Sequence, residues 1–203
     1  MARQPKKSAE RESGAGQVNR REDVLERAGE LMAAKGYDGT SMRDIASAVG
    51  MLPGSLYYHF PSKEALFLAL HRRVVSEMAE RVTRVLEGVD DPWDRLEAAS
   101  HAHLEGLLLT GNLVAIVSPE FLGERHEISD AIRAERRSYE TIFRDLVKAL
   151  PLPEEIDRRI LRLHLFGALN WTPTWYEENK GASPGEIARQ IFKVFRRAFE
   201  NRS

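Results

Sequence analysis

SMRDIASAVGMLPGSLYYHFPSK, residues 41–63, reads as two brief helices and the turn between them. Ser41-Met42-Arg43-Asp44 has the form of a capping box, a hydroxyl to accept a backbone N–H with an acid three residues on. It opens a short helix whose Ile45, Ala46 and Val49 face inward, and Gly50 closes it. Pro53 suits the first turn of a second helix, where its missing N–H is unbonded anyway, and Leu56 and Phe60, four apart, supply the buried side. Pro61-Ser62 ends that helix and caps the next. Two brief helices joined by a Gly-containing turn, after a stabilising helix, describe a helix-turn-helix whose second member, 53–60, is the recognition helix.

Working outward, Val24, Ala28, Leu31 and Met32 line one face of the helix that precedes this unit, and it stops at Gly36. Downstream, Lys63 to Glu87 reads as one long helix. Asp91-Pro92, Ser118-Pro119 and Ser183-Pro184 are each an N-cap followed by proline, and Ser183-Pro184-Gly185-Glu186 is also a capping box. Trp93, Leu96, Ser100, His103 and Leu107 mark the inward face of a fifth helix. A short sixth follows Leu113–Val117, and Ile128, Ile132, Tyr139, Ile142 and Leu146 mark a seventh. An eighth begins after Pro153 and a ninth after Ser183. No strand alternation of useful length interrupts the series, so the fold class is all-α with about nine helices.

The 203 residues hold 30 Lys+Arg, 31 Asp+Glu and no cysteine, which excludes a disulfide scaffold, thiolate metal sites and cysteine nucleophiles. No run approaches the roughly 18 apolar residues of a membrane span, and the first twenty residues lack an apolar signal region, so a cytoplasmic protein is expected. The near-neutral total conceals a local patch. Residues 1–21 carry six basic side chains against Glu10 and Glu12, a local net of +4 in a Gly/Ser/Gln-rich context, which predicts a disordered basic arm over 1–19. The helix-turn-helix unit then occupies 20–66 and a larger helical domain 67–203.

For Leu56 and Phe60 packing is the whole account, but it leaves Tyr57, Tyr58, His59 and Lys63 unexplained. Two phenolic hydroxyls, an imidazole and an ammonium form a phosphate-gripping set, and the small Gly54 and Ser55 allow close approach to base edges. On the run VLERAGELMAAKGYDGTSMRDIASAVGMLPGSLYYHFPSKEAL, residues 24–66, the stretch 20–68 resembles the DNA-binding domain of the TetR family of transcriptional regulators. The resemblance covers about fifty residues, with the Gly-Tyr loop, the Thr-Ser-Met-Arg-Asp-Ile-Ala helix and the Leu-Tyr-Tyr-His-Phe-x-x-Lys-x-x-Leu run in register. It implies Ser41, Tyr57, Tyr58, His59 and Lys63 as contacts to the DNA backbone, with Arg43, Pro53, Gly54 and Ser55 nearest the bases. The chain departs from the family's usual pattern at Leu52 and Pro53, which shifts base reading toward Arg43, Tyr57 and van der Waals contact.

One such unit touches too few bases for specificity, so a homodimer on a palindromic operator is expected. Apolar residues lie on more than one face of the eighth helix, and Ile187, Ile191, Val194, Phe195 and Ala198 form a stripe on the ninth. Ile160, Gly167, Ile187, Ile191, Val194 and Phe195 are the expected interface, a four-helix arrangement that the TetR resemblance also implies. The middle helices should hold a small-molecule pocket lined by His103, Leu104, Leu107, Phe121, Tyr139, Phe143, Asn170, Trp171 and Trp175. The run Asn170-Trp171-Thr172-Pro173-Thr174-Trp175-Tyr176 places a proline in a helical stretch, which kinks it. This run resembles the C-terminal segment of TetR-family members tied to fatty-acid or steroid catabolism, whose ligands are acyl-CoA thioesters. Arg133, Arg136 and Arg137 are then candidates for the CoA phosphates.

No metal site or other cofactor is expected: His101 and His103, two apart, lie about 200° around a helix and do not share one ion. No Gly-rich phosphate loop, GxSxG or HExxH is present, which argues against an enzyme. The expected function is a ligand-responsive repressor released from its operator by a small hydrophobic effector such as an acyl-CoA. A helical lipid carrier or adaptor is the alternative, and it leaves the Tyr-Tyr-His and Lys set idle.

Overall fold

The computed structural model describes residues 9–109, 126–178 and 180–200. Eight α-helices run along them: α1 (Ala9–Lys35), α2 (Met42–Ala48), α3 (Pro53–His59), α4 (Lys63–Val85), α5 (Pro92–Leu109), α6 (His126–Lys148), α7 (Arg158–Trp171) and α8 (Pro184–Glu200). The described residues form no strand. The short sixth helix expected after Leu113–Val117, and the Ser118-Pro119 cap, lie outside the described residues.

Most boundaries follow from local chemistry. Ser41 Oγ accepts from Asp44 N at 3.2 Å while Asp44 Oδ2 accepts from Ser41 N at 2.9 Å, completing the capping box of α2. At its other end Gly50, at φ +63°, turns the chain left-handed. Gly50 N then reaches Ser47 O and Met51 N reaches Ala46 O at 2.8 Å, so the orphan carbonyls are satisfied in the pattern that needs a residue without Cβ strain. Ser62 Oγ caps α4 through Ala65 N, and Asp91 Oδ1 caps α5 through Trp93 N and Asp94 N. Ser183 and Glu186 exchange both bonds at the start of α8. The cap of α7 is Asp157, whose Oδ1 accepts from Arg159 N and Ile160 N.

Two expectations are corrected. Helix α1 extends back to Ala9, so the second half of the arm expected to be disordered over 1–19 is helical. Once Val24, Leu25, Ala28 and Met32 are docked, each further residue toward the N-terminus adds a helical bond without a new nucleus. Pro173 does not kink a continuing helix. Helix α7 ends at Trp171 and tightens into a 3-10 turn over Thr172–Thr174, where the proline's missing N–H costs nothing.

Helices α1 to α3 and the start of α4 share one interior of Val24, Leu25, Ala28, Met32, Ile45, Ala46, Leu56, Phe60, Leu66 and Phe67. Tyr37 closes it edge-on against Phe67 at 5.2 Å. In the second half α5 is central, packing against α4, α6, α7 and α8, with Trp93 meeting Phe192 at 6.0 Å. Helix α4 crosses from one interior to the other, burying Leu66, Phe67 and Leu70 near its start and Val74, Met78 and Val82 toward its end. The expected division at 66/67 therefore falls inside a continuous helix.

Candidate nucleic-acid interface and regulatory core

Leu56 fixes α3 by burying its whole side chain, which leaves the opposite side of that short helix free. Pro53, Gly54 and Ser55 are all exposed, and a Cβ built on Gly54 would meet nothing within 4 Å. Tyr58 is 81% exposed and Leu52 76%, with Tyr57 about half exposed. Arg43 on α2 is exposed too, and His59, half-buried, lies edge-on to Tyr58 at 5.6 Å. Phenol, hydroxyl and guanidinium groups thus stand on a rigid apolar base.

Two of the expected contact residues have structural work of their own. Ser41 Oγ also donates to Asp44 Oδ2 at 2.6 Å, and this hydrogen bonding holds the Asp44 carboxyl below its usual range. Lys63 Nζ donates to Thr40 O at 2.7 Å and sits 4.2 Å above the Tyr37 ring, fastening the start of α4 to the loop before α2. Thr40, which sequence reading passed over, completes that fastening by donating its hydroxyl to Gly36 O and Leu31 O.

In the second half, His103 of α5 is buried among Tyr139 and Phe143 of α6 and Phe166 of α7. Its Nε2 lies 2.9 Å from Asn170 Oδ1 and its Nδ1 2.7 Å from Tyr139 Oη. Because the amide oxygen only accepts, Nε2 donates to it; Nδ1 of a neutral ring then accepts the tyrosine hydroxyl. Burial pushes the imidazole down to about 4, against the opposing hydrogen bond to Asn170, and pushes the Tyr139 hydroxyl well up. Three helices are thus pinned by one uncharged ladder.

The structure brings His103, Leu104, Tyr139 and Phe143 together in the interior, with Leu107 half-buried, and adds Phe166, 4.8 Å from Phe143. Asn170 is exposed at its residue surface yet reaches inward through its amide oxygen. Trp171 and Trp175, expected beside His103, instead stand out into solvent, Trp171 at 67%. Trp171 follows Asn170 by about 100° of helix, and the 3-10 turn carries Trp175 outward. Phe121 lies outside the described residues.

The expected dimer residues also divide. Ile160 and Gly167 are exposed, and Val194 is 72% exposed. Leu163, absent from the expected set, joins Ile160 on the open side of α7. Ile187 is buried in the chain's own core, and Ile191 and Phe195 are half-buried against it. Sequence alone did not separate these faces, since the stripe on α8 serves an internal seam first.

Residues 24–70 match the family model for bacterial regulatory proteins of the tetR family, and residues 89–199 match the tetracyclin repressor-like C-terminal domain. The chain belongs to the TetR family of transcriptional regulators. It is 38% identical over 94 residues to the HTH-type transcriptional repressor KstR2 of Mycobacterium tuberculosis (strain CDC 1551 / Oshkosh), covering 46% of this chain and 47% of that protein. The match therefore spans about half the length of that relative. KstR2 of Rhodococcus jostii (strain RHA1) aligns over 192 residues at 27% identity, 89% of this chain and 91% of the relative. The fold is shared with AibR, solved in complex with isovaleryl coenzyme A and operator DNA, at a TM-score of 0.75 and 24% identity over 86% of this chain and 97% of AibR. No helix among the described residues is long and apolar enough to cross a membrane.

Proposed function

We propose that this TetR-family regulator is a repressor that binds a palindromic operator as a homodimer, reading DNA with α2 and α3, and is released by an acyl-CoA. The carrying observation is the exposed set Arg43, Ser55, Tyr57 and Tyr58 raised on a largely apolar three-helix base. Repression agrees with the name of the KstR2 relatives, and the CoA thioester with the character of the Asn170–Tyr176 segment and with the AibR complex. Dimerisation agrees with the exposed Ile160, Leu163 and Val194, large apolar side chains with no place in the chain's own core. Two recognition helices in one dimer must meet half-sites about 34 Å apart.

Duplexes selected by the purified protein from a random library test this reading. The expected product is an inverted repeat, bound with an affinity that falls steeply with salt as phosphates are neutralised. Isovaleryl-CoA, palmitoyl-CoA and a polycyclic acyl-CoA are then titrated against the complex, and at least one should weaken it about fivefold or more. Enrichment of no duplex, with tight uptake of a fatty acyl chain instead, points to a lipid carrier and sinks the repressor reading.

A further inference from the structure

The ladder through His103 ends at the surface. Tyr139 Oη lies 2.7 Å from His103 Nδ1, and His103 Nε2 lies 2.9 Å from Asn170 Oδ1. With the amide oxygen taken up by Nε2–H, the amide nitrogen is turned the other way, with both of its N–H donors. Asn170 is exposed whereas His103 and Tyr139 are buried, so the inner pair sets which end of the amide faces outward. Burial keeps the ring neutral by lowering its pKa to about 4, and the direction of the ladder is therefore the same throughout the neutral range.

Helix packing alone does not call for this arrangement. Phe143 and Phe166 meet the His103 ring edge-on, and phenylalanine at position 103 or 139 would fill the same interior with no polar atom to satisfy. An exposed amide on a helix ordinarily turns freely in water. At Asn170 two buried polar side chains hold it in one orientation, which is the support a preset binding group needs. The neighbouring surface is open and apolar. Gly167, three residues earlier on the same side of α7, is exposed, and a Cβ built there would meet nothing within 4 Å. Trp171 and Trp175, which follow, are each more than half exposed. A fixed donor beside bare backbone and aromatic rings suits an apolar molecule that bears an acceptor.

We infer that Asn170 Nδ2 donates to the thioester carbonyl of an acyl-CoA, with His103 and Tyr139 as the positioning residues that orient it. This rests on the acyl-CoA reading above and names the group of the effector that is recognised. Within an acyl-CoA the thioester oxygen is the acceptor next to the acyl chain, so one molecule lays its chain on the tryptophan rings while its carbonyl meets the amide. The amide carbonyls of the pantetheine arm lie farther from the chain and are common to every CoA compound.

Isovaleryl-CoA, palmitoyl-CoA and a polycyclic acyl-CoA are each compared with the S-alkyl-CoA of the same skeleton, a thioether that lacks only the carbonyl, by calorimetric titration of the full chain. At least one acyl-CoA should bind about fivefold more tightly than its thioether, the worth of one neutral hydrogen bond. Asn170→Ala should erase that preference, and Asn170→Asp, which turns a charged acceptor outward, should reverse it. Tyr139→Phe removes the donor that fixes the ring tautomer, so the amide is free to turn over and the preference should shrink; a loss of packing alone would weaken acyl-CoA and thioether equally. Nitrogen NMR of the ring gives a reading without any effector. His103, assigned by the loss of its signals in His103→Phe, should carry its proton on Nε2 in the unaltered chain, and a proton on Nδ1 instead overturns the proposal. Tight acyl-CoA binding with no preference over the thioether overturns it as well, and so do monomers on sedimentation of Asn170→Ala, which assign the amide to a contact between copies. If none of the three acyl-CoAs binds, the acyl-CoA reading fails, and the proposal with it.

Discussion

The interior beneath the recognition helix and the interior around α5 are built by different rules. The first is apolar apart from the hydroxyls of Thr40, which donates to neighbouring backbone carbonyls, and of Tyr37, which donates to Glu64 Oε1. The second contains His71, Ser100, His103 and Thr172, and its two imidazoles bond to side chains from other helices. An apolar interior has essentially one packed state, whereas a buried ladder of donors and acceptors is directional and fails as a unit when one helix moves. A reading surface needs the first kind of support; a domain that responds to a bound molecule needs the second.

The largest expected effect breaks the first region. Leu56→Ala opens a cavity under α3 and should destabilise the helix-turn-helix by about 2–5 kcal/mol, with loss of duplex binding. Thermal unfolding with separate exchange profiles for 20–66 and 92–109 checks it. An equal loss in 20–66 and 92–109 would show that the two interiors are not distinct.

Next in size is a pH effect that belongs to the second region. The unfolded chain takes up a proton on His103 near its ordinary value of 6.5, while the folded chain refuses it until about 4. Stability is therefore full above pH 6.5 and is lost as pH falls from there to 4, by about 3 kcal/mol in all. His71, also lowered, adds in the same direction. Denaturant midpoints from pH 7.5 to 4.5 measure this; His103→Phe should flatten the profile, and an equally steep one in that variant assigns the effect elsewhere.

A smaller effect tests division of labour on the reading face. Arg43→Ala should cost about 1–3 kcal/mol and relax preference at one or two positions of each half-site, whereas Tyr58→Phe should weaken all duplexes alike. Competition binding on singly substituted duplexes separates the two, and a uniform loss in Arg43→Ala returns that residue to the phosphates.

The smallest concerns Leu52, a large apolar side chain exposed where the recognition helix begins. It suits a thymine methyl in the major groove. Replacing thymine by uracil at the contacted position should cost about 1 kcal/mol, one buried methyl, in the unaltered chain and nothing in Leu52→Ala. Equal sensitivity in both would leave Leu52 without a base partner.

Much of this architecture is legible before any coordinates, at sites where partners lie close along the chain. The boxes at Ser41–Asp44 and Ser183–Glu186, the Ser62 and Asp91 caps and the left-handed Gly50 all act across three to five residues. The direction of side chains on helices that have several apolar faces is not legible in this way. Ile187 and Val194 belong to the same stripe in sequence, yet one is buried in its own chain and the other open, because α8 packs on α5 along a line that periodicity does not fix. The outward placement of Trp171 and Trp175 is not legible for a related reason: a proline near a helix end signals a change of course but not which way the chain then turns.

Sequence alone determined the all-α class, the caps, the helix-turn-helix and the candidate reading residues, since each depends on a few neighbours and on side chains with strong local preferences. Only the tertiary structure decided which polar groups meet. His71 finds Glu135 across 64 residues and His103 finds Asn170 across 67, and nothing local to either histidine names its partner. The physical reason is that an isolated imidazole in a helix is equally consistent with solvent, a metal or a buried hydrogen bond. The choice is made when helices distant in sequence bury it and the one acceptor within reach must satisfy it.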